Sequence, residues 1–401
     1  MLGFGATRTD AVATAGASAA TDADKTLEKY QRDWKSYDRR LTNPASGRGL
    51  SNQQRKELER TYYLSANVLK ASEDKTFPGA IVASLASPWG QAVSAGDPAQ
   101  TFFGSYREVF ARDLYESFTG LIASGDVATA KDTVKFLFER QQQVDGSMPR
   151  NSLINGKLAA DSSGVQLDEV AYPILMARTV GLTDKAFYLA HIKRAADFVV
   201  AHGPAFGNER WEEQAGYSPS TIAAEIAGLA AAGAIAAQNG DVAGARIYRA
   251  TADHYQRNIK GWTVTNTGTL STAPYFIRLS KNGDPNAAVS YNLGNGGPDA
   301  DQRVVMDAGF LELPRLGILP KDDPDIANSL TVADQVIAKT TSSGLGFYRY
   351  GISTPGTEDG YGDCNTGDAT DCSVQGKPVG RRLRRARPEQ GIGPSVAGAG
   401  R

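Results

Sequence analysis

A chain of 401 residues with 41% hydrophobic and 22% charged side chains has ordinary globular composition and enough length to bury a large core. Its formal net charge of −1 argues against nucleic acid or an anionic membrane surface as the main partner. Three histidines without ligand spacing and two cysteines argue against a zinc site, and no stretch reads as the roughly 20 apolar residues of a membrane helix.

Along the chain, residues 1–22 are rich in Ala, Thr, Gly and Ser, lack an amphipathic period and read as linker. The first 26 residues have neither a basic start nor an apolar stretch, so they do not read as a signal peptide. Export to the medium or the periplasm would need a signal upstream. From residue 24 the 3.6-residue period predicts helices in pairs: 24–41 with 52–73, 107–124 with 126–142, 166–180 with 184–202, 218–238 with 241–259, and 304–316 with 325–339. Gly-Asp at 125–126 and at 240–241 parts the helices within two of these pairs. Residues 74–104 read as a long loop and 262–300 as a small strand-rich insertion.

Helix pairs with short internal turns and longer loops between pairs suit a helical toroid, with function gathered at one end. The stretch 222–237, IAAEIAGLAAAGAIAA, is apolar nearly all round, as an inner helix should be. An open solenoid gives the same pairing; acidic and aromatic motifs in the loops between pairs favour closure. Residues 379–401 change character, with a burst of Arg and a Gly/Ala end, and read either as a solvated basic tail or as the product of a shifted reading frame. Cys364 and Cys372 lie close together in an Asp- and Gly-rich loop, where a local disulfide and two free thiols are both consistent with the spacing.

The densest chemistry lies in Asn208-Glu209-Arg210-Trp211-Glu212-Glu213-Gln214-Ala215-Gly216-Tyr217-Ser218. Three carboxylates around an indole repel one another, which raises the pKa of one and suits it to general-acid work on a glycosidic oxygen. The same residues could instead be an acidic, solvated helix start with Ser218 as its cap.

Residues 209–225, GluArgTrpGluGluGlnAlaGlyTyrSerProSerThrIleAlaAlaGlu, resemble the acid-bearing segment of family 15 of the glycoside hydrolases, the glucoamylase and glucodextranase family. The resemblance makes Glu212 the general acid, with Glu213, Glu209 and Trp211 in the substrate site; fungal members usually carry Asp at the position of Glu209. GlySerTyrArgGluValPheAlaArgAspLeuTyr (104–115) resembles the family's Arg-Asp substrate clamp, which maps onto Arg112 and Asp113. Residues 78–90 resemble the loop walling the innermost sugar subsite, with Trp89 stacking on the sugar, although Ser84-Leu85 departs from the usual Ser-Pro. GlnLeuAspGluValAlaTyrPro (166–173) points to Asp168 and Glu169, and PheTyrArgTyr (347–350) with residues 358–363 points to Arg349.

These motifs occur in family order over about residues 1–378. They imply an all-α fold, the (α/α)6 barrel, here with about five of its six helix pairs over residues 23–378. Gly3-Phe4-Gly5-Ala6-Thr7 resembles the last strand of the β-sandwich that precedes the barrel in bacterial members. The implied activity is exo-acting hydrolysis of terminal α-D-glucosidic bonds in starch- or dextran-type glucans, with inversion, by a monomer acting on α-glucan. No organic cofactor is implied, and calcium would have no ligand pattern here to hold it. Inversion needs a second carboxylate about 6.5–9.5 Å from the acid. Arg387-Pro388-Glu389-Gln390 resembles the base segment in three letters only, and Glu389 is not assigned that role. The alternative expectation is an inactive fragment or sugar-binding remnant. Preference among α-1,4, α-1,6 and trehalose bonds rests on loop contacts beyond the first sugar.

Overall fold

The structure, a computed structural model, describes residues 2–44, 49–85, 105–159, 162, 164–210, 214–293, 298–341 and 344–353. The chain divides into two compact units, residues 1–71 with 119–127, and residues 72–118 with 128–401.

The smaller unit opens with α1 (Arg8–Ala20), a helix inside the stretch read as linker. Ala-rich sequence has the highest helix propensity, and Thr7 and Asp10 form a capping box that answers the first free amides. None of its residues is buried, which is why no amphipathic period announced it. Next come α2 (Ala23–Asp38), capped by Asp22, and α3 (Asn52–Ala71). Tyr37, Leu41 and Ala66 form the core of this unit, with Trp34 and Tyr63 packed against them. The Tyr37 hydroxyl donates to Asp126 at 3.0 Å, so the buried ring keeps its polar end satisfied.

In the larger unit, β1 (Val109–Phe110) pairs antiparallel with β2 (Asn151–Ser152) and leads directly into α4 (Ala111–Ser124), whose last residues count with the smaller unit. This pairing delays the helix predicted from residue 107. A π-helical turn, Leu137–Gln141, continues α5 (Val127–Phe136). α6 (Leu167–Thr179) follows, then α7 (Lys185–Phe187), joined to α8 (Lys193–His202) by a second π-helical turn. α9 (Pro219–Gln238) and α10 (Val242–Thr263) form the next pair, with Asp241 accepting from the Gly244 amide as the cap of α10.

α9 is the centre of this unit: it packs against α6, α8, α10 and α11 (Glu312–Arg315). Its length and composition would suffice for a membrane crossing, contrary to the sequence expectation, but 78% of its apolar window is buried by protein, as in a core helix. A fully buried Leu or Ile such as Ile222, Leu229 or Ile235 contributes about 1.5–3 kcal/mol. Gly228 lets α6 and α9 meet backbone to backbone, since a Cβ there would lie 2.7 Å from the Ala171 carbonyl.

The insertion after α10 is strand-rich as expected. β3 (Val264–Thr265) pairs with β4 (Tyr275–Phe276), and β5 (Ser290–Asn292) pairs with β6 (Asp299–Asp301). Helix was expected over 304–316, but β7 (Met306–Asp307), a 3-10 turn at Gly309–Leu311 and the single turn of α11 stand there. Two valines, Gly309 and Pro314 oppose a helix, and Asp307 is committed to other partners. α12 (Pro324–Val336) ends before the predicted boundary, where β8 (Ala338–Thr341) begins and turns back as β9 (Gly344–Phe347). β10 (Tyr350–Gly351) closes the described chain by pairing with β7.

Candidate active site

The first turn of α4 is fixed before it starts. Val109 and Phe110 pair with β2, Gln141 donates to the Val109 carbonyl at 2.9 Å, and Asn151 donates to the buried Glu108 carboxylate. Arg112, in that first turn, reaches across to the first turn of α6. Its Nε donates to Asp168 Oδ2 at 2.6 Å and its Nη2 to Asp168 Oδ1 at 3.1 Å, a planar two-point fork. The Gln166 side chain accepts from the same Nη2, and Glu169 Oε1 stands 3.8 Å from Nη1. The Asp168 carboxylate also accepts from the Glu169 amide at 3.0 Å, at the positive end of the helix dipole.

Arg112 therefore takes its carboxylate from another helix. Asp113, expected as its partner in the clamp, is exposed. Successive helical residues point in directions about 100° apart, so neighbours in sequence do not face the same way. One turn deeper, Arg315 bridges Glu116 at 3.1 Å and Glu312 at 2.9 Å. The Tyr115 and Tyr172 rings stack there with centroids 4.0 Å apart, and Tyr172 donates to Glu312. This layer fixes α4 against α6 beneath the Arg112 fork. Burial raises the Glu116 carboxyl above its ordinary range, with Arg315 opposing.

Gly207 pairs by backbone with Gln166, tying the segment before Glu209 to the start of α6. Glu209 is buried, and its Oε1 accepts from Arg278 Nη2 at 2.6 Å. Arg210 meets Asp307 at 2.5 Å. Burial pushes the Glu209 carboxyl up to about 7, against Arg278 and Arg210, which pull it down. Beyond residues 211–213, Gly216 has φ 152°, and a Cβ there would lie 2.6 Å from the Ser280 carbonyl, so a side chain is strained and crowded at this turn. Ser218 occupies the cap position of α9 in extended conformation, without a side-chain capping bond.

Described parts of two further motifs lie beside elements already named. Arg349 precedes β10, where Tyr350 pairs with Asp307, the partner of Arg210. The Ala83 amide donates to the Glu108 carbonyl at 3.1 Å and the Ser84 amide to the Tyr106 carbonyl at 2.7 Å, laying the start of the 78–90 loop beside the entry to α4. Trp89, Trp211, Glu212, Glu213, residues 358–363, both cysteines and Glu389 lie outside the described residues.

Several site residues were not singled out in the sequence. Gln166 carries no charge to mark it. Arg278 and Glu225 did carry a signal: each is a charged residue inside an apolar run, where burial demands an explanation. Glu225 is fully buried in α9, and among the described residues neither of its carboxyl oxygens has a hydrogen-bond partner. Burial raises its pKa well above the ordinary carboxylate range, and Asp168 adds to the rise. Among the described residues, no group of three or more His, Cys, Asp or Glu side chains is arranged to hold a metal ion.

The sequence profile of the glycosyl hydrolases family 15 matches residues 58–363. A glucoamylase of Clostridium sp. (strain G0005) is 39% identical over 363 residues, covering 90% of this chain and 48% of that protein. A crystal structure of a bacterial glucoamylase complexed with acarbose superposes with a TM-score of 0.77 at 38% identity, covering 87% of this chain and 49% of the other. The chain thus spans about half the length of these relatives. A wild-type glycosidase structure at 18% identity, covering 75% of each chain with a TM-score of 0.52, shares the fold. The fold class is that of the glucoamylase barrel, (α/α)6.

Proposed function

The chain belongs to the glycosyl hydrolases family 15, and we propose that it works in exo-acting, inverting hydrolysis of terminal α-D-glucosyl units of α-glucans. The observation that carries this reading is the Arg112 fork on Asp168, flanked by Glu169 and Gln166 and tied through Gly207 to the segment of Glu212. An arginine held in plane by a buried carboxylate presents its partly exposed guanidinium in an orientation that is set before ligand arrives. The acarbose complex of the bacterial relative supports a sugar as the ligand.

In this reading Glu212 donates its proton to the departing glycosidic oxygen, while water attacks the anomeric carbon from the opposite face and gives up a proton to the second carboxylate of the inverting pair. Glu213 and Arg349 grip hydroxyls of the terminal glucose, Trp89 and Trp211 supply apolar walls, and Glu209 acts from behind the segment as its buried anchor. The reaction consumes water and needs no cofactor. The second carboxylate of the inverting pair is assigned to no residue of this chain.

Maltotriose turnover followed by NMR tests the proposal. The first glucose released should be the β anomer, and Glu212→Gln should lower kcat by about 10²–10⁴-fold. Release of α-glucose, or near-normal turnover by Glu212→Gln, would refute the assignment.

A further inference from the structure

The strand-rich insertion after α10 has no part in the reaction described above, yet three residues within its stretch 278–281, Arg278, Ser280 and Lys281, grip the acid-bearing segment on both sides of residues 211–213. Ahead of these residues, Arg278 Nη2 holds Glu209 at 2.6 Å. After them, Lys281 Nζ donates to Gln214 Oε1 at 3.0 Å and to the Ala215 carbonyl at 2.7 Å. Tyr217 and Ser280 exchange both backbone bonds, at 2.8 and 3.1 Å. The Glu209 amide donates to the Gln214 carbonyl at 2.7 Å, so the two anchored ends also close on each other.

The gripping residues are themselves held. The Arg278 amide donates to the Val305 carbonyl at 2.9 Å, and its guanidinium lies 3.8 Å from the centre of the Tyr350 ring. Leu279 is buried with Tyr291, Leu293, Ala300, Val305 and Tyr350 in one apolar cluster. The Ile277 amide donates to the Thr263 carbonyl at the end of α10, and the Phe276 amide donates to Ser329 Oγ in α12. The grip is therefore continuous with the helical core through fully buried residues.

We infer that residues 278–281 are the mount of the general acid, with Arg278 and Lys281 as positioning residues that fix where the segment bearing Glu212 stands. The inference rests on the assignment of the acid to that segment. Displacing a catalytic group by about 1 Å can cost on the order of 100-fold in rate, so a mount of this kind governs kcat more than substrate affinity. Glu209 is its hinge pin: its carboxylate lies against Arg278, and its backbone reaches Gln214 across the residues that carry the acid.

Hydrogen–deuterium exchange on the 401-residue chain reads the mount without requiring turnover. Arg278→Met should speed exchange of the amides of residues 209–217 about tenfold or more, with α6 and α10 unchanged, and Arg278→Lys should restore most of the protection. Lys281→Met, at a partly exposed position, should speed exchange about threefold at residues 214–217 and carries the test where Arg278→Met fails to fold. On maltotriose, Arg278→Met should lower kcat about 10–100-fold while KM moves less than threefold. Unchanged exchange at 209–217, or a rise shared equally by α6 and α10, overturns the mount. That result stands apart from the acid assignment, which fails instead if Glu212→Gln keeps its turnover while the exchange responds.

Discussion

Arg112 and Arg278 each hold a carboxylate at 2.6 Å, but their surroundings differ in a way that separates presenting a charge from sealing one. The Arg112 side chain keeps 13% exposure; its Nε and Nη2 meet Asp168 and Gln166, and its Nη1 lies 3.8 Å from Glu169. The Arg278 side chain has 0% exposure, with the Tyr350 ring lying against its guanidinium. Beside it, Arg210 meets Asp307 with 14% of its side chain exposed, as accessible as Arg112. Closed pairs stabilise little over apolar replacements but are costly to break on one side only, because the partner is left charged and buried. Such pairs define geometry. A partly exposed fork at a helix start presents its charge where a ligand can reach it.

The largest effect that could break this contrast lies in stability. Arg278→Met leaves the buried Glu209 without its cation and should cost about 3–5 kcal/mol in urea unfolding at pH 8. Arg112→Lys keeps a charge beside Asp168 but loses the two-point fork, and should cost about 1–2 kcal/mol. Equal losses in the two variants would erase the distinction.

A second, smaller effect sharpens it through pH. The folded-state pKa of Glu209, about 7, lies above its ordinary 4.5. The folded chain therefore keeps a proton that the unfolded chain sheds between these values. This group's contribution to stability falls as pH rises through that window, by about 3 kcal/mol in all. Glu209→Gln should flatten that part of the pH–stability curve, and an unaltered slope would count against a sealed Glu209.

The smallest effect is expected at Glu225. Its carboxyl is held neutral by burial, with Asp168 opposing ionisation, so below the ordinary carboxylate range, where folded and unfolded chains are both protonated, Glu225→Gln should change stability by no more than about 1 kcal/mol. Its folded-state pKa is raised, so the native chain loses stability as pH climbs above the ordinary carboxylate range. The Gln variant should escape that loss, and a steep fall in the variant at high pH would contradict the account.

The helices that carry the site were legible because their patterns are local. The 218–238 prediction starts within one residue of α9 because Pro219 at the first turn and an apolar run sufficed to mark it. Arg112, Asp168 and Glu169 were named through family resemblance, and the structure brings these three together. The choice of Asp168 over the adjacent Asp113 was not legible, because it depends on how α4 faces α6. Arg278 sat in plain view inside YFIRLS, but its partner lies 69 positions away, a distance that no periodicity encodes. The 304–316 stretch was misread as helix because its apolar spacing fits a 3.6-residue period, whereas β10 and Arg210 claim Met306 and Asp307. The helix at Arg8–Ala20 escaped for the opposite reason: it has propensity and caps but no buried face.

Calorimetric titration of acarbose into the wild type and Arg112→Lys tests most directly that the Arg112 fork is a sugar clamp. Losing hydrogen bonds from a charged group costs about 1.5–3 kcal/mol, so the variant should bind about 10–100-fold more weakly while still folding cooperatively. Equal affinity in the two proteins, or no binding by the wild type, would contradict the account.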